Sequence, residues 1–155
     1  MKTKEVHIDF ERSIGPWLGR TMKLLDYHMH EALQSAGLDL TKEQMVVLKK
    51  LHQKDGLNQN ELAFLTYRDK SSLARLLSKM ERKKYIIRKQ STDDKRVNQV
   101  FLTKTGRATY LKTRPVIKKL INKMEQNIST EEKVQMIDLL QKVQVNFEPE
   151  LTFNK

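Results

Sequence analysis

One stretch of this 155-residue chain constrains the fold more than any other, and it lies between residues 69 and 82. Four apolar residues follow one another there at i, i+3, i+4 and i+7, namely Leu73, Leu76, Leu77 and Met80. This is the spacing of one apolar face of an α-helix. Asp69 precedes the face, and its carboxylate can accept from the free N–H groups of a first turn. The pattern predicts a helix capped by Asp69 with one side packed on a core.

The opposite side of this predicted helix is polar. At about 100° per residue it carries Ser71, Arg75, Ser78 and Arg82, with Ser72 and Lys79 beside them. Arginine can bond guanine through two hydrogen bonds, and serine can bond base edges or phosphate. Most charged helix faces are simply solvated, so this face alone decides nothing. Its neighbours in the sequence favour contact with nucleic acid.

Shorter elements surround the helix. Asn58 followed by Glu61 resembles a capping box and predicts a short preceding helix, joined to the next by the turn 66–68. Two segments rich in β-branched or aromatic residues, 85–87 and 97–102, predict strands on either side of the polar turn 91–96. Thr103 is expected to cap a new helix after them. The whole stretch predicts a winged helix-turn-helix, in which one helix enters a DNA groove and the hairpin meets the backbone.

The positive charge of the chain is concentrated on the same stretch. The chain carries +11 in total. Residues 68–96 hold eleven basic and four acidic residues, a net +7, whereas residues 1–67 are neutral overall and residues 97–155 carry +4. A localised basic field attracts a polyphosphate, and counterion release then drives binding.

Helices are predicted on both sides of this unit. One has Pro16 in its first turn and runs to about residue 36, and a capping box of Thr41 and Gln44 opens another to about residue 53. A long helix over 104–128, which Pro115 should kink, and a last helix from 129 to about 147 follow. The fold class is therefore mainly α with a small β-hairpin wing. We expect a single domain over 1–155, with 38–103 as the DNA-binding part.

The terminal helices, 1–37 and 104–155, have more apolar surface than one small domain can bury. A two-fold homodimer joined through them is the economical solution, because symmetric dimers are the commonest oligomers. An intramolecular helical bundle is the alternative.

Several classes of protein find no support in the sequence. There is no cysteine, which excludes disulfides, thiolate zinc sites and thiol-based redox switches. His28 and His30 do not share a helix face, so no metal site is expected. No catalytic motif appears, and we expect neither enzymatic activity nor a cofactor. No signal peptide and no apolar run of about 20 residues is visible, which fits a cytoplasmic protein without membrane contact.

The ordered motifs resemble those of the MarR family of bacterial transcriptional regulators. They include Gly37-Leu38-Asp39-Leu40-Thr41, Asn60-Glu61-Leu62-Ala63, Asp69-Lys70-Ser71-Ser72-Leu73, Asp94-Lys95-Arg96 and Leu102-Thr103-Lys104-Thr105-Gly106. Lys84 stands where the family usually has a glycine. The resemblance implies a homodimeric repressor of double-stranded DNA with a pseudo-palindromic operator. It also implies release by a small organic effector bound between the dimerisation and DNA-binding parts.

Candidate site residues follow from the residue pattern and the resemblance together. The predicted DNA-binding residues are Arg68, Lys70, Ser71, Ser72, Arg75, Ser78, Lys79, Arg88, Lys95 and Arg96. Trp17, Tyr27 and His28 are candidates for an effector pocket, although ordinary packing or a place in the dimer interface explains them better. Two other functions use the same fold, an RNA-binding module and a protein-interaction adaptor. The hairpin lacks the aromatic residues expected of a single-strand stacking platform, and an adaptor does not explain the localised charge.

Overall fold

The computed structural model describes residues 5–153, which form six helices and a small sheet. The elements in chain order are α1 (Ile14–Ser35), α2 (Lys42–Gln53), β1 (Leu57–Asn58), α3 (Gln59–Leu65), α4 (Lys70–Arg82), β2 (Ile86–Gln90), β3 (Asn98–Leu102), α5 (Lys104–Met124) and α6 (Thr130–Phe147). The prediction of a mainly α chain with a winged helix-turn-helix is confirmed.

The core lies where the apolar stripe predicted it. Leu73, Leu77 and Met80 on α4 are completely buried, together with Leu48 of α2 and Leu62 of α3. Ile86 and Val100 close the cluster from the sheet side. Burial of each of these side chains contributes about 1.5–3 kcal/mol to the free energy of folding. The core therefore joins the reading unit, by which we mean residues 55–103, to α2 and to the end of α1.

The sheet has three strands rather than the predicted two. The hairpin pairs Ile86 with Leu102 and Gln90 with Asn98, and β1 adds to the other side of β3 through Leu57 opposite Val100. The order is β1-β3-β2, all antiparallel. Sequence patterning missed β1 because two residues are too few to display a period-2 alternation.

The predicted helix starts are confirmed by their caps. Asp69 accepts from the Ser72 N–H at 2.8 Å at the start of α4. Capping boxes open α2, α3 and α6, with both reciprocal hydrogen bonds present in each. Each box satisfies two N–H groups that would otherwise lack a partner. Helix α1 begins at Ile14 with Ser13 as its N-cap, so Pro16 lies in the first turn as predicted.

Three helices end in the same way, with a left-handed residue just after the C-cap. In α4, Lys84 has φ +61°, its N–H bonds the Glu81 carbonyl, and the next N–H, of Tyr85, bonds the Met80 carbonyl. This is the Schellman pattern. Gly37 at +70° and Tyr67 at +53° end α1 and α3 likewise. Lys84 thus adopts the conformation that a glycine would adopt without a Cβ penalty.

Helix α5 starts against the end of the reading unit. The Thr103 hydroxyl accepts from the Gly106 N–H at 2.9 Å, which confirms the predicted cap. A Cβ on Gly106 would lie 1.9 Å from the Tyr85 carbonyl oxygen, so only glycine fits there. The helix is continuous across Pro115 and ends at Met124, four residues earlier than predicted. A turn follows, with Asn127 at φ +63°.

Contacts group the chain into two compact units, one up to Leu120 and one from Ile121, so the boundary falls within α5. In the second unit, α6 contains no buried residue. Lys133 of α6 donates to Glu125 at 2.9 Å. No helix among residues 5–153 has the length and apolar character needed to cross a membrane.

Candidate nucleic-acid interface

The outward face of α4 is open. Ser71, Arg75 and Lys79 are exposed, and the opposite face of the helix is packed on the core. Among residues 5–153, no hydrogen bond or ion pair engages the side chains of these three residues or of Lys70. A guanidinium and an ammonium without internal partners are available to an anionic ligand. The rows of hydroxyl and basic groups match the donors that read base edges and phosphates.

The N-cap residue Asp69 places a negative charge at the start of α4. The hydrogen bond from the Ser72 N–H holds the pKa of Asp69 below its ordinary value, with Arg75 adding to the effect. Asp69 is therefore ionised at neutral pH and stays bound to the helix start. This fixes the first turn, where Lys70 and Ser71 lie, against fraying.

Arg68 approaches the same turn from the preceding loop. Its Nη2 donates to the Ser72 hydroxyl at 2.8 Å, so these two predicted site residues lie together. The Nε of Arg68 is buried and has no partner within residues 5–153. The side chain is half buried, so only part of its guanidinium is available to a ligand.

Two further predicted residues, Ser78 and Arg88, bond each other, and Arg88 also bonds Glu81. Arg88 Nε donates to Glu81 Oε2 at 3.0 Å, and its Nη2 lies 3.4 Å from Glu81 Oε1 and 3.3 Å from the Ser78 hydroxyl. The hydrogen bond from Arg88 holds the pKa of Glu81 below its ordinary value of 4.5. Glu81 is the residue that the sequence interpretation missed. Its opposite charge seven residues before Arg88, across a helix–strand turn, was the available signal.

The tip of the wing presents Lys95 and Arg96 to solvent. The Asp94 carboxylate accepts from the Arg96 backbone N–H at 2.9 Å, and the Ser91 N–H bonds the Val97 carbonyl at 2.8 Å. Asp94 therefore shapes the turn through the backbone, which leaves the Arg96 guanidinium free of it.

The three candidate effector residues all lie exposed on α1. The rings of Tyr27 and His28 pack edge to face with centroids 5.3 Å apart. Trp17 lies ten residues earlier, about 15 Å along the helix axis, and donates to the Glu11 carbonyl at 3.3 Å. The structure thus brings two of the three together, and their role as an effector site stays a prediction.

Comparison with known proteins places the chain in a family. The sequence model of the MarR family matches residues 40–97. The HTH-type transcriptional regulator SarZ of Staphylococcus aureus is 32% identical over 111 residues, which are 71% of this chain and 74% of SarZ. This chain belongs to the MarR family. It is accordingly a winged-helix, DNA-binding transcriptional regulator.

Solved structures of the family share the fold. BpsR of Bordetella bronchiseptica superposes with a TM-score of 0.81 at 20% identity, covering 90% of this chain and 98% of BpsR. The repressor CouR, solved on a 23-mer DNA duplex, gives a TM-score of 0.80 at 20% identity, covering 90% and 99% of the two chains. At such identities the similarity concerns the fold alone.

Proposed function

We propose that this regulator is a homodimeric repressor that reads a pseudo-palindromic duplex through α4 and the wing, and that a small organic ligand releases it. The observation that carries the proposal is the open basic face of α4, opposite a completely buried stripe. A helix held on a core along one side and bearing free Ser71, Arg75 and Lys79 on the other is suited to a major groove.

The position of each residue in the reading unit determines which part of the DNA it contacts. Ser71 and Arg75 lie on the α4 face that faces away from the core, and there they contact base edges. Lys95 and Arg96 at the wing tip contact phosphate or the minor groove. Arg68, Lys70, Ser72, Ser78 and Lys79 complete the contact surface around them. Phosphate contacts position the protein, whereas base contacts give it sequence preference.

Unburied apolar side chains on the terminal helices support dimerisation. On α6, Val134 and Ile137 are each 53% exposed and Leu139 is 60% exposed. On α1, Trp17 and Leu24 are also more than half exposed. A two-fold interface buries such surfaces twice with one set of residues. Dimerisation would hold the two α4 helices about 34–36 Å apart, one turn of DNA.

Support for repression and for release by an effector comes from the relatives. CouR is a transcriptional repressor, and the DNA binding of BpsR is regulated by 6-hydroxynicotinic acid. In the present chain, Trp17, Tyr27 and His28 offer aromatic surface on α1 for an aromatic ligand. A ligand that favours another spacing of the two reading helices weakens DNA binding, with a coupling of about 1–3 kcal/mol.

The deciding experiment selects bound duplexes from a random DNA pool with the full-length protein. We expect a pseudo-palindromic consensus with half-sites one helical turn apart, and a dimer by sedimentation equilibrium at micromolar concentration. A parallel selection from single-stranded RNA should yield no consensus. A monomer, or a duplex pool without any consensus, overturns the proposal. Addition of 6-hydroxynicotinic acid and other aromatic acids to the selected complex then tests for release.

A further inference from the structure

Arg88 makes three hydrogen bonds to one carboxylate, which is more than any other cation among residues 5–153. Its Nε and Nη2 meet the two oxygens of Glu81 at 3.0 and 3.4 Å, and its backbone N–H donates to Glu81 Oε2 at 3.2 Å. The carboxylate thus holds both the side chain and the main chain of β2. Planar pairing of this kind fixes direction as well as distance.

The two partners belong to different parts of the reading unit. Glu81 lies in the last turn of α4, and Arg88 is the third residue of β2. Since β2 is an edge strand of the sheet, the backbone N–H of Arg88 on its free side can donate to the Glu81 carboxylate of the helix. Arg88 also reaches Ser78, one turn earlier on α4. The only covalent link between the two elements is the short turn 83–85.

The geometry points to Glu81 and Arg88 as positioning residues for DNA reading, which set the angle at which the wing leaves α4. This inference rests on the proposed function. The pair holds Lys95 and Arg96 at the wing tip in register with Ser71 and Arg75 on the helix. Arg88 therefore serves recognition through Glu81, and not as a phosphate contact of its own.

The charge of Glu81 provides a way to separate its positioning of the wing from the plain electrostatic effect of an anion near DNA. Glu81 is an anion beside a surface that binds a polyanion, so its removal alone should strengthen binding to any duplex. If Glu81 positions the wing, its removal instead weakens binding to the operator. The two effects have opposite sign. An ion pair that solvent still reaches contributes little to unfolding stability, so Glu81→Gln should leave the fold intact.

The test measures Glu81→Gln, Arg88→Lys and the swapped pair Glu81→Arg with Arg88→Glu, on the selected operator and on random duplex at several salt concentrations. Arg88→Lys keeps the charge but lacks the planar fork. Asp93→Asn is the matched control, because it removes one exposed anion from the wing turn. Circular dichroism and thermal unfolding establish folding of each variant.

We expect Glu81→Gln and Arg88→Lys each to lower operator affinity roughly tenfold, about the effect of one mismatched base pair, with the salt slope unchanged. Asp93→Asn should bind as tightly as the unaltered protein or more tightly. The swapped pair should regain most of the lost affinity. If Glu81→Gln fails to fold, the swapped pair decides the question.

Two results overturn the inference. One is a Glu81→Gln variant that binds more tightly, as Asp93→Asn does. The other is a swapped pair that stays weak and loses about one unit of salt slope, which would make Arg88 a phosphate contact. Absence of any operator preference in the unaltered protein is a different result, since it defeats the proposed function itself.

Discussion

The reading unit and the terminal helices differ in how much of their apolar surface is buried within one chain. On α4, the stripe residues Leu73, Leu77 and Met80 are completely buried within one chain. On α6, no residue is buried, and the apolar side chains Val134 and Ile137 remain half exposed. The core of the reading unit, with α2 included, is complete in one copy of the chain. The terminal helices have apolar surface to spare, and that surface is the physical basis of the proposed dimer.

The largest expected effect comes from truncating one apolar residue in each region. Leu77→Ala should lower the free energy of unfolding by about 2–5 kcal/mol at every protein concentration, because it leaves a cavity in a closed core. Ile137→Ala should cost little in dilute protein and more as concentration rises, since it acts on the dimer. Urea unfolding over a range of concentrations measures both. An Ile137→Ala effect that is as large in dilute protein would mean that α6 is buried within its own chain.

Two glycines permit a second comparison. Gly106→Ala brings a Cβ to 1.9 Å from the Tyr85 carbonyl oxygen, at the junction of the reading unit and α5. We expect a loss of about 1–3 kcal/mol or more, because backbone must move. Gly19→Ala in α1 meets nothing within 4 Å and should stabilise the helix by up to about 1 kcal/mol. Thermal unfolding measures both, and a harmless Gly106→Ala would show that this junction is loosely packed.

The sequence predicted the reading unit well because its signals are local. The α4 stripe, the Asp69 cap and the capping box of Asn58 with Glu61 each lie within one helical turn or two. The signals it missed involve residues that meet only after folding. Strand β1 exists because Leu57 reaches Val100, and Arg88 is held because β2 returns beside Glu81. Periodicity carries no information about such distant pairs.

DNA binding provides the third contrast, between cations of the reading unit and a cation of the terminal helices. Arg75→Ala should cost about 1–3 kcal/mol on the operator and relax the preference at one base pair per half-site. Arg96→Ala should weaken operator and random duplex alike and lower the salt slope by about 1. Lys142→Ala on exposed α6 is the control and should change neither.

Titrations of the three variants on both duplexes at several salt concentrations test whether Arg75 reads bases and Arg96 contacts phosphate. If Arg75→Ala weakened both duplexes equally while Arg96→Ala alone altered base preference, the roles of helix and wing would be reversed. If Lys142→Ala weakened binding as much as Arg96→Ala, the terminal helices would also contact DNA.

The smallest expected effect concerns how helices end in the two regions. The left-handed residue that follows the C-cap is Gly37 for α1. In the reading unit it is Tyr67 for α3 and Lys84 for α4. For a residue with a Cβ, this conformation costs roughly 1–2 kcal/mol of folding free energy. Replacement by glycine recovers only part of this cost, because glycine has greater freedom in the unfolded chain. Lys84→Gly should therefore stabilise the protein by roughly 0.5–1 kcal/mol, and Gly37→Lys should destabilise it by a similar amount. Urea unfolding measures both changes. If Lys84→Gly were destabilising, the Lys84 side chain would be contributing more to the folded state than its backbone conformation costs.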